Sequence, residues 1–272
     1  MRFLQILAAG ALLAPAFLYA QSGQSKECGL SSLGTCVVHI AQDQWGIITS
    51  PTRVRANDLL WIAPFGVATG IALDKDVEAM QTLGIDPSRE DKFNKISNFT
   101  LYGAAGSIGV GYIAGNVTHN DYLRQTSVLS AEAMVNAIIL SEGLKYATNR
   151  ERPNQDDGKG RFWPHGTKTW PDGQSMPSEH AMAMWAFAHV VAAQYNGIAT
   201  KLIVYSLATT VSASRVMARQ HFPSDVVVGS TFGYLIGGYV VHHRSSAASN
   251  FTLSPISSPN GRGIELAYNF AH

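Results

Sequence analysis

From residue 58 onward the chain is a succession of apolar segments of helix length, separated by short polar breaks. Hydrophobic residues recur at helical spacing, most clearly in residues 126–148. Alternation typical of a strand is confined to residues 264–270, and no internal repeat is evident. With 272 residues, 46% of them hydrophobic, the chain can bury one sizeable core. The sequence therefore predicts an all-α protein, a single-domain helical bundle. The helix-length segments are residues 58–73, 74–83, 97–118, 126–148, 180–195, 199–218 and 224–243.

The first twenty residues have the pattern of a secretory signal peptide. Arg2 supplies a positive charge, Phe3–Leu13 is an apolar run, and the small residue Ala20 precedes a plausible cleavage point. Ala14-Pro15-Ala16 is a competing cleavage site, and an uncleaved anchor is the alternative interpretation. The pattern predicts a signal peptide over residues 1–20 and an exported protein, periplasmic or secreted.

The segments on either side of the apolar region differ from it in composition. Residues 21–57 begin rich in Ser, Gly and Gln, which predicts an N-terminal arm with little regular structure. Cys28 and Cys36 lie in this arm, and in an exported protein we expect a disulfide rather than two free thiols. The helical domain is predicted over residues 58–244. Residues 245–272 predict an irregular tail with one short strand at most.

Composition also bears on the partners of the chain. The net charge is +1 and no basic stripe stands out, which argues against a nucleic-acid partner. Most of the apolar segments are interrupted by polar residues or contain many glycines, so a soluble exported bundle is predicted, with peripheral membrane contact left open. A membrane-associated protein is the alternative, and residues 226–241 are its best support. The glycine spacing in residues 97–118 predicts close contact with a neighbouring helix.

The first of three polar segments pairs two cations. Lys145 and Arg152 are seven residues apart, which is two helical turns, so they share one face. Pro153 follows directly and tends to end a helix at the residue before it. Two solvated surface cations are the simpler interpretation of this segment taken alone.

The second segment, Pro177-Ser178-Glu179-His180, opens the next apolar helix. Ser178 is a plausible N-cap, and the free backbone N–H groups of a helix start attract anions. His180 lies in the first turn and is predicted to face the same anion. An ordinary capping sequence is the simpler interpretation.

The third segment joins the end of one predicted helix to the start of another. Arg215 lies near the end of the first helix, and His221 and Asp225 lie at the start of the second. Asp225 is four residues after His221, which predicts that it accepts the Nδ1–H of the imidazole and leaves Nε2 unprotonated. A helix cap with a nearby histidine is the simpler interpretation.

Taken together, the three segments resemble the type 2 phosphatidic acid phosphatase family, which shares its site with bacterial nonspecific acid phosphatases and vanadium-dependent haloperoxidases. The family pattern is Lys, six residues, Arg-Pro; then Pro-Ser-Gly-His; then Ser-Arg, five residues, His, three residues, Asp. The motifs span residues 145–225, and this chain matches every position of the pattern except one, where Glu179 replaces glycine. The resemblance implies a helical bundle of the acid phosphatase and haloperoxidase type.

For the chemistry, the resemblance implies a phosphatase that needs no metal and no other cofactor. Its substrate would be a phosphorylated small molecule or lipid: a phosphomonoester, a lipid phosphate or a pyrophosphate. His221 is implied to attack phosphorus through Nε2 and form a phosphohistidine, Asp225 to orient it, and His180 to protonate the leaving group. The residues implied to bind the phosphate oxygens are Lys145, Arg152, Ser178, Arg215 and, through its backbone N–H, Glu179.

The departure at Glu179 puts a carboxylate beside a phosphate site. We expect its side chain to turn outward and to pair with a cation of residues 154–176, which are predicted to form a loop. That loop carries Phe162, Trp163, His165 and Trp170. Its aromatic residues are consistent with a lid over the site and equally with a loop pinned to the bundle.

Two other functions compete with a phosphatase. A vanadate-dependent haloperoxidase would hold vanadate in the same residues, and a non-catalytic protein would bind a phosphate or a lipid without turnover. The phosphatase is preferred because haloperoxidases are usually longer and Asp225 fits the phosphatase pattern. The sequence predicts no oligomeric state.

Overall fold

The computed structural model describes residues 28–29, 32–168, 170–171, 173–247, 251–258 and 261–268. Helices dominate these residues, joined in part by two short 3-10 turns, Ser50–Arg53 and Ala56–Asp58. The prediction of an all-α helical bundle is confirmed. The helices are α1 (Leu33–Ile48), α2 (Leu59–Leu83), α3 (Pro87–Val117), α4 (Asp121–Thr148), α5 (Glu179–Gln194), α6 (Ile198–Met217) and α7 (Pro223–Ala247).

Helix α5 lies at the centre of the bundle and packs against α3, α4, α6 and α7. Its small and flexible apolar side chains are buried, which lets neighbouring helices approach closely. Glycines at four-residue intervals on α7 face its backbone: a Cβ on Gly229 would lie 2.5 Å from Ser178 O, and one on Gly233 would lie 2.1 Å from Met182 O. This close approach fixes the starts of α5 and α7 beside each other.

The glycine-rich part of α3 makes the predicted close contact over only part of its length. A Cβ on Gly115 would lie 2.7 Å from the backbone nitrogen of Arg124 in α4, and one on Gly111 would lie 2.6 Å from Ser127 Oγ. The earlier glycines of the segment face open space within the described structure: Gly103, Gly106 and Gly109.

The N-terminal arm is more regular than predicted, because α1 occupies much of residues 21–57. Cys28 and Cys36 form a disulfide at its start, with Cα atoms 4.8 Å apart. The buried carboxylate of Asp43 accepts a hydrogen bond from Asn136 and pairs with Arg244, partners 93 and 201 residues away. Contacts so distant in sequence leave no local signal. The predicted signal peptide, residues 1–20, lies outside the described residues.

The prediction of an irregular tail over residues 245–272 is wrong. Helix α7 continues to Ala247, and strands β1 (Phe251–Ser258) and β2 (Gly261–Tyr268) pair in antiparallel fashion. Pro259 and Asn260, which lie between the strands in the sequence, and Gly261, the first residue of β2, are residue types that favour turns. The prediction considered only the alternation of the second strand and overlooked that turn signal.

Three helices of the described chain are long and apolar enough to cross a membrane, judged by length and composition alone. They are Ala56–Leu83, Asp121–Thr148 and Pro223–Arg244. The first includes α2, one continuous helix where the sequence predicted two segments, and none of its most apolar window is buried inside the protein. An uncovered apolar surface of this size is stable in lipid rather than in water. These helices therefore indicate membrane association, the alternative to the predicted soluble bundle.

Candidate active site

The three polar segments meet at one end of the bundle, where four helix ends converge. Helix α4 ends at Asn149, which adopts a left-handed conformation and lets the chain turn across the bundle. Ser175 N donates to Arg150 O, so the chain before α5 runs beside the chain after α4. The backbone N–H of Ser178 donates to Asp225 O at 3.0 Å, which joins the starts of α5 and α7.

His221 is almost completely buried at the centre of this cluster, with 1% of its surface exposed. Its Nδ1–H donates to the backbone carbonyl of Ser175 at 2.6 Å. That bond fixes the tautomer and leaves Nε2 as the nitrogen with a free lone pair. Burial, followed by the charges of Arg215 and Arg152, holds the pKa of His221 well below its usual range, so the imidazole is neutral.

Asp225 does not accept the hydrogen bond from His221 that the sequence predicted. The carboxylate oxygen Oδ2 lies 3.9 Å from Nδ1 and instead accepts from Ser175 Oγ at 2.6 Å and from Phe222 N at 2.8 Å. Oδ1 accepts from Arg150 at 2.6 Å. The orienting effect is therefore indirect: Asp225 fixes Ser175, and the carbonyl of Ser175 holds the imidazole.

Arg150 is a buried cation that the sequence analysis did not select. Its guanidinium donates to Asp225 at 2.6 Å, to Ser224 Oγ at 2.7 Å and to Asp76 of α2 at 2.7 Å. Asp76 also accepts from the backbone N–H of Ser224 at 3.0 Å. Both carboxylates are fully buried, so a single guanidinium stabilises two negative charges beneath the site. Arg150 was overlooked because it stands two residues before Arg152, the arginine that matches the family pattern.

The other two predicted arginines approach the site from opposite sides. Arg152 donates to Gln220 Oε1 at 3.0 Å, and burial lowers its pKa. Arg215 of α6 donates to Asn94 Oδ1 at 2.8 Å and to Ser97 Oγ at 3.2 Å, both on α3. Burial and the nearby charge of Arg152 lower the pKa of Arg215 to about 10, so both guanidinium groups remain charged at neutral pH.

Glu179 turns into the site, whereas the sequence predicted that it turns outward. Its Oε2 lies 2.7 Å from Lys145 Nζ, and Glu142 Oε1 lies 2.6 Å from the same nitrogen. Burial acts to raise the pKa of Glu179, but hydrogen bonds with Glu142 and Lys145 and the charges of Lys145 and Arg152 lower it overall. The reason for the orientation is the burial of Lys145, whose side chain is 7% exposed and needs a counter-charge.

Two buried donors at the site have no hydrogen-bond partner among the described residues: Ser178 Oγ and Arg215 Nε. Ser178 is the N-cap residue of α5, as predicted, but its hydroxyl makes no capping bond. Unsatisfied buried donors are rare, because each one destabilises the fold by about 1–3 kcal/mol. A hydroxyl and a guanidinium N–H beside further cations suit a ligand that carries anionic oxygens.

His180, in the first turn of α5, hydrogen-bonds through Nε2 to Asn98 Oδ1 of α3 at 2.9 Å. Burial, together with the charges of Arg215, Lys145 and Arg152, lowers the pKa of His180 to about 3. The same three cations are therefore close enough to His180 and to His221 to act on both rings. This places the predicted proton donor and the predicted nucleophile in one electropositive site.

The aromatic loop is pinned to the end of α4. Trp163 Nε1 donates to Ala147 O at 3.1 Å, and Trp170 Nε1 donates to Tyr146 O at 3.0 Å. The two indole rings stack with centroids 6.3 Å apart. These bonds favour the structural role over that of a mobile lid. Within the described residues, no group of three or more His, Cys, Asp or Glu side chains could hold a metal ion.

One protein family and one solved structure are similar to this chain. Residues 127–247 match the sequence model of the PAP2 superfamily. None of the curated proteins matches the chain. Among solved structures, a similar one is the crystal structure of the first transmembrane PAP2-type phosphatidylglycerolphosphate phosphatase from Bacillus subtilis. It has 18% sequence identity, covers 78% of this chain and 96% of that chain, and gives a TM-score of 0.44.

The matched region holds every predicted site residue, from Lys145 to Asp225. The three segments occur in the order and with the internal spacing of the family pattern, and Glu179 is the only departure from it. Residues 127–247, the part of the chain that carries the site, therefore match the PAP2 superfamily, in agreement with the resemblance to the type 2 phosphatidic acid phosphatase family.

Proposed function

We propose that this protein is a metal-independent phosphatase that hydrolyses phosphomonoesters through a phosphohistidine intermediate. The observation that carries the proposal is the state of His221. Its Nδ1–H donates to Ser175 O, and burial together with the surrounding cations keeps Nε2 unprotonated. A neutral imidazole in an electropositive, buried site is a nucleophile suited to an anionic phosphoryl group.

In the proposed first step, Nε2 of His221 forms a bond to phosphorus while the ester P–O bond breaks. His180 gives a proton to the departing oxygen, which leaves as an alcohol. Lys145, Arg152 and Arg215 offset the charge on the non-bridging oxygens, and Ser178 Oγ donates a hydrogen bond to one of them. Phosphoryl transfer depends mainly on such positioning and charge stabilisation.

In the proposed second step, water attacks the phosphohistidine. The water loses a proton to the now neutral His180, the N–P bond breaks, and inorganic phosphate and the original His221 are restored. The same histidine thus serves as acid and then as base, which requires its pKa to change with the occupancy of the site.

We propose lipid phosphates as the substrate class. Lys145 stands near the end of the candidate span Asp121–Thr148, and Asp225 stands near the start of the candidate span Pro223–Arg244. The site consequently lies at the ends of two apolar helices, where a phosphate head group meets a hydrocarbon layer. The apolar surface of α2 is available to contact that layer.

A phosphate-release panel tests the proposal. The purified protein in detergent is assayed with nitrophenyl phosphate, phosphatidate, a prenyl pyrophosphate and a nucleotide, with and without chelator. We expect release from phosphatidate to be fastest and to persist with chelator. Loss of activity with chelator would contradict the metal-independent mechanism. Halide oxidation with added vanadate and peroxide, without phosphate release, would favour the haloperoxidase instead.

Replacing Glu179 by glutamine is expected to strengthen the binding of inorganic phosphate and vanadate by about tenfold, equivalent to ~1.4 kcal/mol. The Glu179 carboxylate lies 2.7 Å from Lys145 Nζ, where it would compete with a phosphate oxygen. The measurement is the inhibition constant of vanadate or direct calorimetry with phosphate.

A matched control for Glu179→Gln is Glu78→Gln, which removes a carboxylate paired with Lys75 at 2.9 Å on the exposed surface of α2. This control is expected to leave anion affinity unchanged. Weaker binding in Glu179→Gln would contradict the competition and would instead mean that the carboxylate holds Lys145 in its binding geometry.

The pKa of His180 is expected to rise when phosphate binds. Burial and three cations lower it to about 3, so the ring is neutral at pH 5 to 7. A bound dianion offsets Arg215, Lys145 and Arg152 and stabilises the imidazolium, which moves the pKa upward. NMR titration of ¹⁵N-histidine with and without saturating inorganic phosphate measures the change, and the spectrum of His180→Gln identifies the signal. A pKa that stays at about 3 with phosphate bound would remove His180 as the proton donor.

A further inference from the structure

Helix α3 supplies side chains to the active site although it precedes residue 127, where the family match begins. Ser97 and Asn98 follow Asn94 by three and four residues, so both lie on the helical face that carries Asn94. Two of them contact Arg215 and the third contacts His180. His180 and Arg215 are positions of the family motifs, whereas the α3 residues that contact them are not.

The contact with His180 has a chemical consequence. Asn98 Oδ1 lies 2.9 Å from Nε2, and an amide oxygen can only accept a hydrogen bond. Nε2 therefore carries a proton in the neutral ring, and Nδ1 is the nitrogen that gains and loses the second proton. The general acid is held in one orientation and one tautomer by a residue of a different helix.

The contacts with Arg215 anchor the same helix face from a second direction. Asn94 Oδ1 accepts from the guanidinium at 2.8 Å and Ser97 Oγ accepts from it at 3.2 Å, while Ser97 is fully buried. Arg89, near the start of α3, donates to the backbone carbonyl oxygens of Leu83 and Gly84 and so ties the helix to the end of α2. The N-terminal turn of α3 is thus held against the end of α2, five residues before Asn94.

We propose that Asn98 is a positioning residue for catalysis: it fixes His180 so that Nδ1 delivers the proton to the leaving group, while Asn94 and Ser97 align Arg215. This inference rests on the proposed phosphatase function for the proton transfer. In that step the P–O bond breaks, the departing oxygen takes the proton from His180 Nδ1, and the Nε2–H···Oδ1 bond to Asn98 is kept throughout.

The test compares two esters whose leaving groups differ in their need for a proton. Nitrophenolate leaves readily without protonation, whereas an alkoxide from phosphatidate does not. Asn98→Leu removes the acceptor at similar volume and is expected to lower kcat/KM for phosphatidate by roughly 100-fold and for nitrophenyl phosphate by less than about threefold. The ratio kcat/KM is used because it reports the phosphoryl transfer to His221 and not the later hydrolysis.

Two further variants separate positioning from general damage. Asn98→Asp keeps an acceptor oxygen and is expected to recover most of the phosphatidate rate. Asn116→Leu makes the same replacement as the test variant at an exposed position near the other end of α3, where the side chain donates only to its own helix, and is expected to leave both rates unchanged. Equal losses on both esters in Asn98→Leu would overturn the proposal, as would no loss on either.

A measurement that does not require turnover distinguishes this proposal from the proposed function. In ¹⁵N-histidine spectra, His180 of the wild-type protein is expected to be the Nε2–H tautomer, and Asn98→Leu to convert it to a mixture of tautomers. A wild-type Nδ1–H tautomer, or a spectrum unchanged by Asn98→Leu, would overturn the proposal. A wild type that releases no phosphate from any ester defeats the proposed function, and the tautomer result still decides the role of Asn98.

Discussion

Replacing His221 by alanine is expected to abolish phosphate release, with a loss in kcat/KM of at least about 10,000-fold. The expectation follows from the position of the ring. It is 1% exposed, its Nδ1–H is bound to Ser175 O, and its Nε2 is the nitrogen available to attack phosphorus. The three cations proposed to bind phosphate are untouched by the change, so phosphate binding should persist within about tenfold. Phosphate release and calorimetry with inorganic phosphate measure the two effects separately.

The control for this variant is His242→Ala, which removes an exposed imidazole near the opposite end of α7. Its activity should equal that of the wild type. Substantial turnover by a purified His221→Ala protein with a native circular dichroism spectrum would exclude the phosphohistidine mechanism. Loss of both turnover and phosphate binding would mean that the ring also maintains the geometry of the cations.

The sequence predicted which residues lie together at the candidate site but not the contacts that each one makes. Helix starts have local signals, such as Ser178 before an apolar run and Pro223 at the start of α7. The meeting of the three segments was predicted from their resemblance to the family pattern and not from these local signals. The contact of Asp225 did not follow from the sequence. A separation of four residues allows a contact with His221, but Ser175 and Arg150 donate hydrogen bonds to the carboxylate instead.

Burial of Lys145 explains why the predicted orientation of the Glu179 side chain was wrong. A carboxylate at a helix start is stable in water or against a cation, and the sequence does not show which cation is buried. The Lys145 side chain is 7% exposed, so the ion pair with Lys145 stabilises an inward Glu179. The sequence also did not predict the contribution of α3. Asn98 and His180 are 82 residues apart, and a single asparagine forms no recognisable sequence pattern.

The same distinction between local and distant information applies to the fold. Helices with long apolar periodicity, such as α4 and α6, were predicted close to their observed limits. Helix α1 was missed because Asp43 finds its partners on α4 and α7, and these contacts form only when the bundle does. Membrane association was underestimated because scattered polar residues were counted against each span, whereas part of that polar surface is buried between helices, as with Asn136.

Replacing Arg150 by methionine is expected to lower the free energy of unfolding by about 3–5 kcal/mol, the largest stability effect we expect from a single substitution in this chain. The guanidinium is 3% exposed and pairs with Asp76 at 2.7 Å and with Asp225 at 2.6 Å, and both carboxylates are fully buried. Methionine fills a similar volume but leaves two negative charges without a counter-ion in the interior. The midpoint of thermal unfolding in a fixed detergent measures the loss.

Lys95→Met is the control, because this lysine pairs with Asp91 at 2.6 Å on the exposed surface of α3 and its loss should change stability by less than about 0.5 kcal/mol. A second substitution tests the cause: Asp76→Asn in the Arg150→Met background removes one of the two uncompensated charges and should restore part of the stability. Equal stability of Arg150→Met and the wild type would contradict the buried ion-pair network. A loss that Asp76→Asn does not reduce would assign the effect to packing against Phe222, whose ring lies 4.4 Å from the guanidinium carbon, rather than to charge.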